Sequence, residues 1–220
     1  MKGLDELYLS RYRFEVSQVT YFLIGINVAV YIIELLIGQE LSFYYFSLVP
    51  IILRTEWKIY TLLTSVYLHA DPLHLFMNML ALWIFGPGCE REIGGRNFII
   101  FYNLAGLAGG MVHVLAYPSS YVPVMGASGA IFGIIAAFAV LFPLRPILVF
   151  MFFPMVLPAA VWAILYFLLE VAYEFSGVNP YVAHMAHIGG FVAGLIFAFL
   201  YRKTSRRRKG REVKIIWVEG

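Results

Sequence analysis

VMGASGAIFGII, residues 124–135, sets one serine, Ser128, between Gly126 and Gly129 at the head of a long apolar run. A hydroxyl in an apolar interior costs free energy unless it finds a hydrogen-bond partner. Ser128 is therefore either a small residue that lets helices pack closely or a group placed there to react. The surrounding chain decides what kind of interior it occupies. Of the 220 residues, 61% are hydrophobic and 13% charged, where a soluble domain is about half apolar and about a quarter charged. With a mean hydropathy of +0.80, the chain reads as an integral membrane protein with one compact helical bundle. Its single cysteine, Cys89, excludes an intrachain disulfide and a cysteine-based metal site. The first 15 residues carry acids and lack the apolar core of a cleavable signal, so the first membrane helix is expected to serve for targeting.

Crossing a bilayer takes about 20 mostly apolar residues. Runs of that kind lie at 16–37, 72–88, 97–117, 128–142, 147–170 and 184–201. An interrupted outer segment, 38–60, separates the first two, and Pro154 and Pro158 break the fifth. The expected fold is an all-α polytopic membrane protein, a bundle of six transmembrane helices with a short central fourth. Its expected organisation is an N-terminal segment 1–15, a membrane domain 16–201 and a basic tail 202–220. Basic residues orient it, because loops rich in Lys and Arg stay cytoplasmic. With six spans one face receives Lys2, Arg11, Arg13, Arg91, Arg96, Arg145 and the tail, and the other only Arg54 and Lys58. Both termini are thus expected in the cytoplasm, in a multi-pass protein of the cell membrane. The tail reads as a topology anchor against anionic lipid, not a nucleic-acid site.

Polar groups at membrane depth are costly and so are functional candidates. They are His74 and Asn78 in the second span, Asn103 and His113 in the third, Ser128 opening the fourth, and His184 and His187 opening the sixth. Glu34, Glu170 and Glu174 fall near the outer ends of their spans and read as interfacial charges. Ser128 lies 14 residues from the end of its span at Phe142, and His187 lies 14 from Tyr201; each is about 21 Å of helix. Asn78, 12 residues from Glu90, is about 18 Å up from the same face. All three meet in one layer, roughly 10 Å below the outer edge of an apolar core about 30 Å thick, with His74 one turn above Asn78. Gly129 with Gly133, and Gly190 with Gly194, provide the four-residue spacing at which membrane helices approach closely. Gly106 and Gly110 read as packing residues in the same way.

Serine becomes a useful nucleophile when a base takes its proton, and histidine suits that role near neutral pH. With no acid expected at this depth, Ser128 and His187 form a dyad. Phe132, one turn beyond Ser128, is placed to stack on the imidazole. His74, Asn78 and the Ser128 amide at a helix N-terminus are donors for an oxyanion, and Gly126 and Gly129 leave the backbone open to substrate. Other intramembrane chemistries lack their parts. There is no HExxH, and the only aspartates, Asp5 and Asp71, lie outside the apolar core. A metal site from His69, His74, His184 and His187 has no carboxylate or thiolate beside it in this reading, so neither metal nor cofactor is expected.

Three motifs carry a resemblance. GASGAIFG around Ser128, HLFMN from His74 to Asn78, and AHIGGFVAG from Ala186 to Gly194 resemble the rhomboid intramembrane serine proteases over roughly residues 56–201. The resemblance implies Ser128 as nucleophile, His187 as general base, His74, Asn78 and the Ser128 amide as oxyanion hole, and Phe132 packed on His187. It implies the basic six-helix form, an active site opening to the outer face, and substrates that are single-pass membrane proteins cut at locally unstable helices. EWK at 56–58 resembles the family's Trp-Arg pair with lysine in place of arginine, and GPGCE at 86–90 resembles its glycine-rich turn. The fifth span and the loop 173–183 are expected to form a lateral gate and cap. Two rivals stand beside this reading: a catalytically silent binder of membrane helices, and a small transporter, which the absence of an internal repeat disfavours.

Overall fold

The computed structural model describes residues 17–150, 154–177 and 182–216. Five helices are long and apolar enough to cross a membrane: α1 (Gln18–Ile37), α5 (Pro72–Ile93), α6 (Gly95–Ala116), α8 (Ala159–Ser176) and α9 (His184–Ile216). Between α1 and α5 lie three short helices, α2 (Gln39–Phe46), α3 (Pro50–Glu56) and α4 (Thr61–Thr64), continued by a 3-10 turn, Ser65–Tyr67. The sixth apolar helix, α7 (Ser128–Leu141), has 14 residues, about 21 Å of rise against an apolar thickness of about 30 Å. It can be short because it sits at the centre. Every residue from Gly129 to Phe138 is buried, as expected of a helix that is apolar all round. The peripheral helices instead turn Phe22, Leu36, Leu104, Leu168 and Phe199 outwards, as lipid-facing surfaces do. Together they make a multi-pass helical membrane bundle. The N-terminal segment 1–15 lies outside the described residues, and the start of the tail continues α9 without a break to Ile216.

Glycine sets how closely the central helices meet. A Cβ on Gly190 would overlap the carbonyl oxygen of Gly129, and one on Gly194 that of Gly133. On α7's other side a Cβ on Gly133 would lie 2.6 Å from that of Ala105 in α6. The two pairs, Gly129/Gly133 and Gly190/Gly194, thus face one another and bring α7 and α9 into backbone contact. Helix α1 is tied on by a charge: Glu90 of α5 accepts the Val19 and Thr20 amides (3.0 and 2.8 Å) and the Thr20 hydroxyl (2.6 Å). Those are first-turn amides that a helix cannot satisfy itself.

Two expectations change. The fifth membrane helix starts at Ala159, not at residue 147, because Pro146–Phe150 (β1) and Pro154–Pro158 (β2) form a two-stranded antiparallel hairpin. Prolines that remove amides from a helix are tolerated at strand ends, and Pro146 pairs with Pro158 and Phe150 with Pro154. The glycine-rich turn is displaced as well. Residues 86–90 stay helical through Pro87, and the chain turns at Gly94, whose φ is +84°. The interrupted outer segment 38–60 consists of short helices, in line with its reading from the sequence. Gly38 at φ +93° ends α1, and Leu48 pairs with Val124 through two amide–carbonyl bonds (3.0 and 2.8 Å). Lys58, in the Trp-Lys pair, binds Glu56 at 3.0 Å and lies 4.8 Å over the Tyr44 ring.

Candidate active site

Ser128 is the first residue of α7, where the amides of the opening turn have no acceptor within the helix. The loop that delivers it is held on two sides: Val124 by the Leu48 pairing, and Gly126 by a bond from its amide to the Ser65 carbonyl (2.9 Å). Gly126 takes φ +125° and lies against the His74 ring. A Cβ there would come within 2.8 Å of His74 Nε2 and Cε1. Glycine is needed at this position both for its backbone angle and for its lack of a side chain.

Across the glycine contact, α9 places His187 Nε2 2.8 Å from Ser128 Oγ. Phe132, one turn along α7, stacks on the imidazole at 4.4 Å with the planes 9° apart, and Tyr166 of α8 stacks on Phe132 in turn at 4.8 Å. His74 Nδ1 accepts the Ala70 amide (3.4 Å), which leaves Nε2 as the donor of a neutral ring. Asn78 donates one Nδ2–H to the His74 carbonyl (2.9 Å), and a primary amide carries a second. Ser128, His187, His74, Asn78, Gly126, Gly129 and Phe132 all line one cavity of about 1290 Å³, walled on the α8 side by Trp162 and Tyr166. Gly133, Gly190 and Gly194 stand behind it as packing residues.

Other polar residues fall differently. Asn103 accepts the Tyr67 hydroxyl (2.7 Å) from the 3-10 turn, whereas the His113 ring packs on Tyr117 (5.2 Å) and has no hydrogen-bond partner among the described residues. Glu34 is buried, not interfacial, and accepts the His69 amide (3.3 Å). His69 meets His74 edge-on at 5.2 Å. Burial, aided by His74, pushes its imidazole down to about 4, so it stands as a neutral neighbour at physiological pH. Glu174 takes the Tyr117 hydroxyl.

The largest correction concerns Glu170 and His184. Glu170 Oε2 lies 2.8 Å from His187 Nδ1 and 2.7 Å from His184 Nδ1, with all three residues buried. Glu170 is neither an interfacial charge nor outside the reacting layer, and His184 is not simply a polar residue at the mouth of its span. The cause is the proline hairpin. With α8 starting at Ala159 and ending at Ser176, Glu170 lies well inside the helix instead of at its end. Among the described residues these three form the one group that could hold a metal, with ligand atoms within 4.8 Å of one another. A carboxylate therefore does accompany two of the histidines.

Comparison with known proteins agrees with this architecture. The family model for the rhomboid domain matches residues 56–204. Rhomboid protein 1, mitochondrial, of Saccharomyces cerevisiae is 31% identical over 208 residues, covering 90% of this chain and 57% of that protein. YdcA of Bacillus subtilis, named as a candidate rhomboid protease, is 30% identical over 154 residues, 70% of this chain and 71% of its own. Inactive rhomboid protein 1 of Bos taurus is 30% identical over 147 residues, 66% of this chain and 16% of its own. The chain thus spans little more than half of the yeast protein, and its relatives include both proteases and members named as inactive. The family-model match over residues 56–204, with a relative 30% identical and covered over 71% of its length, places this chain in the rhomboid family.

Proposed function

We propose that this chain is an intramembrane serine endopeptidase that hydrolyses peptide bonds in or near transmembrane segments of single-pass membrane proteins. The observation that carries the reading is the 2.8 Å contact between Ser128 Oγ and His187 Nε2 at the head of a buried helix facing a large cavity. Ser128 Oγ attacks the scissile carbonyl carbon while its proton passes to His187 Nε2. The oxyanion faces the Ser128 amide, His74 Nε2–H and the free Asn78 amide hydrogen. The proton on Nε2 then goes to the departing amine, and water, activated by the same nitrogen, releases the acyl group from Ser128. Nothing in this scheme needs a metal or an organic cofactor. The distribution of Lys and Arg supports both termini in the cytoplasm and a site opening to the outer face.

The decisive experiment incubates the purified protein with a transmembrane peptide whose helix is loosened by glycine and carries an alanine before the cut. Ser128→Ala is expected to lower cleavage by about 10³-fold or more. Equal cleavage by the variant and the unaltered protein would sink the assignment. The bovine relative makes a silent helix binder the second reading, and it requires that the unaltered protein bind this peptide without cutting it.

A further inference from the structure

The contacts of Glu170 bear on a question that the serine–histidine pair leaves open: what makes His187 present a lone pair, not a hydrogen, to Ser128. A neutral imidazole has one N–H and one bare nitrogen, and either nitrogen can carry the hydrogen. A carboxylate oxygen accepts hydrogen bonds and does not donate them. Glu170 Oε2 is within bonding distance of Nδ1 on both His187 (2.8 Å) and His184 (2.7 Å). Both Nδ1 atoms therefore act as donors to it. For His187 this leaves Nε2 bare, and Nε2 is the nitrogen 2.8 Å from Ser128 Oγ. Phe132, stacked 9° from parallel, fixes the ring plane, while the Glu170 bond fixes rotation within that plane.

On the reading of Ser128 and His187 as nucleophile and base, we infer that Glu170 is a positioning residue that converts the pair into a serine–histidine–glutamate array. Glu170 holds His187 in the Nδ1–H form and steadies the imidazolium formed when the Ser128 proton arrives at Nε2. It does not take that proton itself. His184 binds the same carboxylate oxygen, at 2.7 Å, and so helps to fix the carboxylate. Because the two histidines are on α9 and the glutamate on α8, the array also ties its third member to a different helix from the base.

Two measurements test this. The first is nitrogen NMR of protein labelled with 15N-histidine in detergent micelles, tractable with five histidines in the chain and assigned by loss of the signal in His187→Asn. At neutral pH the His187 hydrogen is expected on Nδ1; finding it on Nε2 overturns the inference without any change at Glu170. The second is kinetics on the same transmembrane peptide. Glu170→Gln keeps an acceptor but loses the charge, and kcat is expected to fall about 10²-fold with KM changed less than about twofold. Glu170→Leu removes the acceptor, and its His187 hydrogen is expected to redistribute towards Nε2. If either Glu170 variant keeps the kcat of the unaltered protein while Ser128→Ala is dead, the positioning role falls and the protease reading stands. If Ser128→Ala is active, the protease reading fails first. A Glu170 variant that does not fold leaves the decision to the NMR of the unaltered protein.

Discussion

The two sides of α7 are built on opposite principles. Towards α9 the contact is backbone on backbone, and the glycines at 129, 133, 190 and 194 leave no side chain that could move aside. Towards α8 the contact is aromatic: Tyr166 stacks on Phe132 at 4.8 Å, and beside it on α8 Trp162, 4.8 Å from Tyr166, stacks on Phe85 of α5 at 5.6 Å. Of α8's 18 residues only Ala159, Ala163 and Glu170 are buried, whereas α7 buries ten of its 14. Close-packed backbone transmits strain and has few alternatives, while aromatic side chains can change rotamer and let a helix tilt. The distance between Ser128 and His187 thus belongs to the rigid side and the carboxylate of Glu170 to the deformable one. On the proposed function, division of this kind would let a substrate helix enter from the lipid without loss of the Ser128–His187 geometry.

The rigid side should be the easier to break. Gly190→Ala forces a methyl into the Gly129 carbonyl, with backbone on both sides of the clash. Stability is expected to fall by more than about 3 kcal/mol, and labelling of Ser128 by a serine-reactive fluorophosphonate should be lost. Gly25 of α1 is the control, since a Cβ there meets nothing within 4 Å; Gly25→Ala should leave labelling intact. If Gly190→Ala unfolds at the same temperature as the unaltered protein and labels normally, α7 and α9 are not locked by these glycines.

How much of this could be read beforehand follows the same division. The glycine face was legible because its spacing repeats every four residues within each helix. Ser128, Phe132 and His187 were legible because local motifs and depth converge on one layer. The deformable side was hidden. Between residues 147 and 158 a short apolar run with prolines fits a kinked membrane helix as well as a strand pair, and only pairing across the hairpin decides between them. The shift in α8's start then carried Glu170 from the edge of a span to its interior. Its bonds to His184 and His187 join positions on two helices across a loop, a relation that no spacing rule within one helix reveals. His113 is the converse case: a polar candidate at membrane depth whose ring packs on Tyr117 and makes no side-chain hydrogen bond among the described residues.

A tether across the deformable side should have the next largest effect, and it bears on the proposed lateral gate. Phe85 and Trp162 stack across α5 and α8, so cysteines in their places can be bridged by a short, cleavable dithiol-reactive linker. Cys89 does not compete, being fully buried. Cleavage of the transmembrane peptide is expected to drop more than about tenfold on bridging and to return when the linker is cut, if substrate enters by opening at this face as the gate expectation has it. Labelling of Ser128 by a small fluorophosphonate should persist throughout. Peptide cleavage that continues unchanged while the bridge is intact would show that substrate enters elsewhere, although part of the loop 173–183 expected to cap the site lies outside the described residues.

The smallest effect on chemistry is expected at Glu90, which sharpens the comparison because it is a buried glutamate like Glu170. Its carboxylate accepts three bonds, all from Val19 and Thr20 at the head of α1, and among the described residues it is hydrogen-bonded to neither a histidine nor Ser128. Hydrogen bonds to a charged acceptor are worth about 1.5–3 kcal/mol each when a partner is removed, and Gln can replace only part of what a carboxylate accepts. Glu90→Gln should therefore lower thermal stability by about 2 kcal/mol while leaving Ser128 labelling and kcat near their original values below the unfolding temperature. Glu170→Gln should do the opposite, costing kcat far more than stability. Two carboxylates of the same burial then differ only in what they bind: one satisfies the amides of a helix end, the other directs the hydrogen on a base. Loss of kcat in Glu90→Gln at undiminished stability would mean that α1 is coupled to the site, and the division between a fixed scaffold and a working face would have to be redrawn to include it.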